Sequence, residues 1–325
     1  MSQLEVLSRP LTLPVVASPM FIASGPDLVV AQSQAGVIGS FPALNARPQS
    51  QLSDWLDEIT ERLDGVATLE GNPAAPFAVN QIVHRSNDRL EADMQTIIDH
   101  KVPIVITSLG ARQDINDAVH SYGGIVLHDV INSTFARKAV ERGADGIIAV
   151  AAGAGGHAGT LSPFALVQEI RSWFDGPLLL SGAIAHGRSV LAALAAGADF
   201  AYIGSPFLQT AEANTPESYK QMIIDSGAED IVYSNLFTGV HGNYLRGSII
   251  NQGLDPENLA TSDPSAMSFS SESISDVKAW RDIWGSGQGI GAITEQHATL
   301  ELVQKLRREF EEARQSLMLA DKMYA

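Results

Sequence analysis

The chain of 325 residues contains no cysteine and is poor in positive charge. Without cysteine it cannot form disulfides, bind a metal through thiolates or use a cysteine nucleophile. Its 21 lysines and arginines stand against 37 aspartates and glutamates, which gives a formal net charge of −16. Such a surface does not favour nucleic acid or anionic membranes, so we expect neither as a partner. A small anionic substrate stays compatible, because local backbone dipoles can oppose the global field.

Long hydrophobic runs are also missing. The apolar stretch LTLPVVASPMFIASG is interrupted by Pro14 and Pro19, and among basic residues only Arg9 precedes it. A signal peptide needs a basic segment before its apolar region, so we do not expect one. No run is long enough to span a bilayer. A cytoplasmic protein is therefore expected.

Short apolar runs alternate with longer helical patterns up to about residue 205, as is typical of βα units and a parallel sheet. Eight strands are predicted, which favours an α/β fold of the (β/α)8 TIM-barrel type. They end in small or polar residues, which either leave room for a ligand at the active face or simply begin turns. The predicted strands are Val15–Ser18, Val37–Ser40, Phe77–Asn80, Pro103–Ser108, Ile125–Asp129, Gly146–Ala151, Pro177–Ser181 and Phe200–Gly204.

The helical patterns include SDWLDEITERL from Ser53 and STFARKAVERG from Ser133. The second begins with Ser133 as a predicted cap and ends at Gly143.

The βα rhythm stops after Gly204. Residues 206–292 are mixed, and their serine-rich stretch TSDPSAMSFSSESISD predicts a long surface loop. A C-terminal helix is predicted from Thr294, and its apolar face predicts packing on the barrel or on a second subunit, so a homodimer stays open. We therefore divide the chain into a barrel with a C-terminal helix (residues 1–211 and 294–325) and an insertion or lid over the active face (residues 212–293). The apolar face of the helix consists of Leu302, Leu306, Phe310, Ala313 and Leu317.

Two glycine-containing turns follow the last two predicted strands. Ser181, Gly182 and Ala183 follow the seventh strand, and Gly204 and Ser205 follow the eighth. Each turn leads into a helical pattern, whose N-terminal N–H groups can bind phosphate without lysine. In barrels the loops after strands seven and eight are the usual phosphate site. The alternative is two tight turns that use glycine for geometry alone, and a phosphate here could also belong to a substrate rather than to a flavin.

One histidine lies within the segment AAGAGGHAGT (Ala151–Thr160). The neighbouring Gly155 and Gly156 leave space beside His157 for a planar ring system, and imidazole can accept a proton near neutral pH. The alternative is that His157 caps the helix that begins near Ser162. His128 and Asp129 can reach the same face, although a buried structural His128 is equally compatible. No set of His, Asp and Glu has the spacing of metal ligands, so no metal is expected.

In combination these motifs resemble the nitronate monooxygenase family, formerly grouped as 2-nitropropane dioxygenases, over nearly the whole chain. VASPM resembles its opening segment, AGAGGHAG its histidine motif, SGAIAHGRSVLAALAAGADFAYIGSPF its phosphate-binding unit and WGSGQGIGAI its late glycine–glutamine loop. The resemblance implies an FMN-binding barrel with His157 as the catalytic base. Pro19 and Met20 would flank the isoalloxazine and Asn80 would hydrogen-bond it. The remaining implied cofactor contacts are Asp129, Gly155, Gly156, Ser181, Gly182, Ala183, Gly204 and Ser205, with Gly182, Ala183, Gly204 and Ser205 at the phosphate.

The resemblance also implies a reaction. In this family an alkyl nitronate gives an electron to FMN, O2 enters, and a carbonyl compound and nitrite are released. The chain departs from the family pattern at Ala151 and Gly153, where glutamine and glutamate are common, and at Asp129, where related reductases have lysine. These departures put the substrate in question. The alternatives are an NAD(P)H-dependent FMN reductase acting on quinones or enoyl thioesters, and a non-flavin barrel isomerase or synthase.

Overall fold

The structure is a computed structural model that describes residues 3–263 and 282–324. Its central element is a parallel sheet of eight short strands. Strand β7 lies outside this sheet and is described below. The barrel strands are β1 (Val15–Ala17), β2 (Gly39–Pro42), β3 (Phe77–Ile82), β4 (Ile104–Ser108), β5 (Ile125–Val130), β6 (Gly146–Val150), β8 (Leu178–Ser181) and β9 (Phe200–Ile203).

The sheet closes into a barrel between its first two strands. From β1 the pairing runs through β9, β8, β6, β5, β4 and β3 to β2. The N–H of Ala17 then donates to the carbonyl of Ile38 at 2.8 Å, and the N–H of Ile38 donates to the carbonyl of Val15 at 3.1 Å. The predicted TIM-barrel fold is confirmed. Strand β2 begins two residues later than Val37, because Ile38 makes only an isolated bridge with Val16 and the N–H of Val37 donates to the carbonyl of Gln32.

Helices alternate with the strands and cover the outside of the barrel. The helix predicted from Ser133 is capped by Asn132 instead, whose side-chain oxygen accepts the N–H of Phe135 at 2.9 Å. Gly143 follows its end with a φ of 92°, as predicted. The helices are α1 (Pro26–Gln34), α2 (Gln51–Leu63), α3 (Leu90–Asp99), α4 (Gln113–His120), α5 (Ser133–Glu141), α6 (Pro163–Arg171), α7 (Gly187–Ala196), α8 (Ser205–Leu208), α9 (Glu217–Ile224), α10 (Arg246–Asn251) and α11 (Thr299–Tyr324).

The segment after the barrel adds a small antiparallel sheet that the sequence did not reveal. Strands β10 (Ile231–Ser234) and β11 (Gly242–Leu245) pair with each other, and β11 also pairs with the two-residue strand β7 (Gly156–His157). The inserted segment is thereby fastened to the histidine motif. The predicted serine-rich loop lies outside the described residues from position 264 onward.

Helix α11 begins at Thr299 rather than at Thr294. Its start is fixed by Glu212, whose carboxylate accepts the N–H and the hydroxyl of Thr299 at 2.9 and 2.8 Å. Leu302 and Leu306 are buried in the same cluster as residues of α7, so the helix packs on the barrel. Leu317 is 61% exposed. Within the described residues, no helix has the length and hydropathy needed to cross a membrane.

Candidate active site

A cavity of about 1040 Å³ opens at the carboxyl ends of the barrel strands. This is near the upper end of the roughly 300–1,000 Å³ common for small-molecule sites. The fold brings all the predicted catalytic and cofactor-contacting residues to this one cavity, while their individual roles stay predictions. The lining includes Pro19, Met20, Asn80, Asp129, Gly155, Gly156, His157, Ser181, Gly182, Ala183, Gly204 and Ser205.

The alternation of side chains along each strand determines what reaches the cavity. In β4, Ile106 belongs to the apolar cluster inside the barrel, whereas Val105 packs with the outer helices. Ser108 is two residues beyond Ile106, so it points inward at the carboxyl end of the strand. Asn80 of β3 and Asp129 of β5 follow inward-facing residues in the same way and also line the cavity.

These three side chains form a hydrogen-bonded chain across adjacent strands. The amide nitrogen of Asn80 donates to the Ser108 hydroxyl at 2.8 Å, and that hydroxyl donates to Oδ2 of Asp129 at 2.5 Å. The backbone N–H of Leu109 also bonds to the Asp129 carboxylate. Leu109 has a φ of 61°, which is uncommon outside glycine, so the loop holds an unusual conformation beside this carboxylate.

Among these three hydrogen-bonded side chains, only Asp129 has a carboxyl group that titrates. Burial raises the pKa of Asp129 to about 6, against the opposing effect of the hydrogen bonds from Ser108 and Leu109. At neutral pH it is mostly ionised but close to titration. Tyr202 of β9 lines the same cavity, and burial together with the Asp129 charge raises the pKa of its phenol. Sequence reasoning named Ser108 only as a polar strand end and missed Tyr202, although strand alternation predicts both as site residues.

His157 is held by the small sheet. It pairs with Gly242 of β11, and its Nε2 lies 2.9 Å from the Thr238 hydroxyl oxygen. That hydroxyl donates to the carbonyl of Val240 at 3.0 Å. Because a hydroxyl has a single hydrogen, Nε2 of His157 is the donor to Thr238, and Nδ1 is the unprotonated nitrogen.

The surroundings keep the imidazole neutral. Burial lowers the pKa of His157 to about 4, so at neutral pH the ring is uncharged and can accept a proton. The alternative role as a helix cap is wrong, because Ser162 occupies the cap position of α6 and His157 bonds to Thr238. Thr238 itself had no recognisable signal in the sequence, since its pairing with the histidine spans 81 residues.

The glycines around His157 are explained largely by packing between backbones. A Cβ on Gly155 would lie 2.8 Å from the backbone nitrogen of Gly287, and one on Gly153 would lie 3.0 Å from the Gln288 side chain. The carbonyl of Gly153 also accepts the N–H of Gln288 at 2.9 Å. The late glycine–glutamine loop is thus packed directly on the histidine motif. Gly153 has a φ of 83°, so a glutamate there would strain the backbone, and the Gln288 side chain would have to shift.

The two turns expected to bind phosphate are neighbours, because Leu180 of β8 pairs with Ala201 of β9. Gly182 has a φ of 144°, and its Cβ would lie 2.7 Å from the carbonyl of Ala152. Ala183 also has a positive φ, of 55°. Its N–H donates to the carbonyl of Gly153 at 3.1 Å, so that amide already has an acceptor.

The two helix starts beyond these turns differ in what they offer. At α7 the N–H of Gly187 donates to Glu309 of α11 at 2.8 Å, and His186 accepts the N–H of Arg188. This helix start is therefore occupied by protein groups, contrary to the expectation from sequence. Helix α8 begins at Ser205 and has four residues; Pro206 has no N–H, and the N–H of Phe207 donates to the carbonyl of Gly204 at 2.8 Å. The Ser205 hydroxyl accepts the N–H of Gly287 at 2.9 Å.

The segment with Pro19 and Met20 is fixed from the side by Asn45. The Asn45 amide nitrogen donates to the carbonyl of Met20 at 3.0 Å, and its oxygen accepts the N–H of Ile22 at 3.1 Å. Ile22 has a φ of 67°, so the turn is strained, and the Asn45 side chain supports it. Asn45 is a positioning residue that the sequence did not reveal.

His128 also lines the cavity, and its Nδ1 lies 2.6 Å from the Thr107 hydroxyl. Burial lowers the pKa of His128 to about 4, so it is neutral as well. In the part of the chain that the structure describes, no three His, Asp or Glu residues converge in a way that suits a metal ion.

Comparison with known proteins decides the family. Residues 6–309 match the sequence model of the nitronate monooxygenase family, which is most of the chain. The chain belongs to the nitronate monooxygenase family. Nitronate monooxygenases are flavin-dependent oxidoreductases. This membership favours flavin chemistry over the isomerase or synthase considered from the sequence.

Two curated relatives illustrate the range of the family. A nitronate monooxygenase of Neurospora crassa is 26% identical over 92% of this chain and 89% of its own length. A carboxyl-CoA dehydrogenase of Rhodococcus jostii, named for a bicyclic indene substrate, is 26% identical over 73% of this chain. The match spans only 64% of the dehydrogenase.

Two solved structures share the fold with this nitronate monooxygenase family member. FabK from Thermotoga maritima superposes with a TM-score of 0.77 at 24% identity, and the match covers 97% of each chain. A nitroalkane oxidase from Streptomyces ansochromogenes superposes with a TM-score of 0.78 at 21% identity, over 97% of this chain and 100% of the other. At these identities the likeness concerns the fold alone.

Proposed function

We propose that the enzyme uses FMN and O2 to convert alkyl nitronates, and the nitroalkanes from which they form, to a carbonyl compound and nitrite. The observation that carries the proposal is the meeting of His157 with the loops after β8 and β9 in one cavity. Family membership over residues 6–309 supports the same chemistry. A homodimer in the cytoplasm remains a prediction.

The residues present fit a flavin mononucleotide. The loops after β8 and β9 lie side by side, and glycine keeps side chains out of them at Gly182 and Gly204. The backbone N–H of Ser205 and the Ser181 hydroxyl would hold the phosphate, because Pro206 has no N–H and the N–H of Phe207 already donates to the carbonyl of Gly204. Pro19 and Met20 would lie along the ring, and Asn80 would bond its polar edge. FMN, when bound, supplies the electron acceptor for nitronate oxidation.

His157 would remove the proton from a neutral nitroalkane. The neutral imidazole can take the proton from the carbon next to the nitro group, which produces the nitronate anion and an imidazolium. The anion would stabilise the imidazolium, which offsets the depressed pKa of the buried ring. A preformed nitronate needs no such step. A comparison of turnover with the nitroalkane and with the preformed nitronate therefore distinguishes proton removal by His157 from the later steps of the reaction.

Spectroscopy of the FMN-loaded protein tests the proposal. Anaerobic addition of ethyl or propyl nitronate should bleach the flavin absorbance without NAD(P)H, and the same mixture in air should release nitrite. A flavin spectrum that does not respond to any nitronate concentration would reject the proposal.

A second candidate is an NAD(P)H-dependent FMN reductase acting on quinones or enoyl thioesters. The observation that favours it is the cavity size, about 1040 Å³, together with the relative named as a carboxyl-CoA dehydrogenase. Rapid anaerobic flavin reduction by NADH or NADPH, with no response to nitronates, would rank it first.

A further inference from the structure

The lining of the cavity extends from the barrel strands to helix α5, and we call this part of the cavity the arm. One side is formed by Gly110 and Ala111, which follow β4, and the other by Phe135, Lys138 and Arg142. The last three are spaced at i, i+3 and i+7, so they share one helical face. That face is turned toward the cavity rather than toward the barrel core.

The side chains of the arm combine an exposed aromatic ring with two cations. Phe135 is 47% exposed, and Nζ of Lys138 lies 5.8 Å from its ring centre. The guanidinium of Arg142 reaches across the arm to within 3.4 Å of the Ala111 carbonyl. Among the described residues, neither cation has an acidic partner within 4.0 Å; the arm also contains the carboxylate of Glu141.

This pattern stands out against the charge of the whole chain. With a net charge of −16, most of the surface repels anions, whereas the arm carries a net positive charge beside the candidate active site. Arginine matches phosphate oxygens in a bidentate manner, and lysine binds them as a point charge. An exposed aromatic ring can stack against a nucleobase.

We propose that the arm binds the adenosine diphosphate part of a cosubstrate, with the base against Phe135 and the phosphates against Lys138 and Arg142. Acyl-coenzyme A and NAD(P)H both carry this group, so the shared chemistry defines the site. The site is separate from the residues assigned to FMN and nitronate and does not depend on that assignment.

Calorimetric titration of the flavin-loaded protein with ADP tests the site. Replacing Lys138 and Arg142 together by glutamine should weaken ADP binding about 10- to 100-fold, or about 1.4–2.8 kcal/mol, because both solvent-exposed cations lose their charge-assisted contacts with the phosphates. Phe135→Ser should also weaken it, by at least about fivefold. Arg308→Gln is the matched control, since this exposed cation of α11 lies outside the cavity.

The same titration distinguishes the sources. If adenosine 3′,5′-bisphosphate binds more tightly than ADP, the arm is assigned to acyl-coenzyme A. If adenosine 2′,5′-bisphosphate binds more tightly than ADP, the arm is assigned to NADPH. If both bind as tightly as ADP, the arm recognises only the adenosine diphosphate that the two cosubstrates share. Absence of ADP binding at millimolar concentration, or equal affinity in the double variant and the wild type, would overturn the proposal. Nitrite release from ethyl nitronate should be unchanged in the double variant, so failure of the proposed function would be seen separately.

Discussion

The hydrogen bond between His157 and Thr238 gives the most specific prediction. Thr238→Val removes the acceptor for Nε2 at 2.9 Å while nearly preserving the side-chain volume. A buried polar group that loses its partner costs about 1–3 kcal/mol. If this cost falls on the orientation of the base, turnover of neutral nitroalkanes should decrease roughly 5- to 150-fold.

Two substrates and two controls make this measurement decisive. Steady-state nitrite release from nitroethane should fall, whereas release from preformed ethyl nitronate should change by less than about twofold, since it needs no proton removal. Thr238→Ser keeps the hydroxyl and should restore nitroethane turnover. Tyr244→Phe removes the other side chain that bonds to Thr238 and leaves His157 with its acceptor. Equal losses on both substrates would refute a role of Thr238 in positioning a base.

Three further predictions concern the same cavity. His157→Ala should keep FMN bound, by absorbance after gel filtration, but lower nitroethane turnover more than ethyl nitronate turnover; equal losses would exclude it as the proton acceptor. Because the folded-state pKa of Asp129 is raised to about 6, its ionisation lowers stability as pH rises from about 4 to 6. Asp129→Asn should therefore raise the free energy of unfolding by about 1–3 kcal/mol at pH 8 and by less at pH 4, and an equal gain at both would contradict the pKa shift. Gly155→Ala places a Cβ 2.8 Å from the Gly287 nitrogen and should cost about 1–3 kcal/mol in thermal unfolding. Gly291→Ala, where a Cβ meets nothing within 4 Å, is its control, and equal effects would refute the packing argument.

The barrel was predictable because its signals are local. Each strand is a short buried run, and the inward side chains recur with a period of two, so Asn80 and Asp129 at the strand ends were identified from sequence. Ser108 was named with them as a polar strand end, and Tyr202 obeys the same rule and could have been added. The distinction between Ser133 and Asn132 as a cap lies within the usual uncertainty of helix ends.

The features that were missed depend on contacts between distant parts of the chain. Strand β7 has two residues and exists only because β11 pairs with it. Glu309 accepts the N–H of Gly187 at the start of α7, although these two residues are 122 positions apart in the sequence. No local sequence pattern predicts a contact over that distance. The need for glycine at Gly155 likewise comes from the late loop at Gly287. Local sequence thus predicted the cavity, while the orientation of its histidine came from the inserted segment.

A crystal structure of the protein with FMN tests the central claim most directly. The account predicts the phosphate in the loops after β8 and β9, near Ser181 and Ser205, with the ring on the side of the cavity that His157 lines. Flavin bound elsewhere on the protein, or an FMN ring that leaves His157 turned away from it into solvent, would contradict the account.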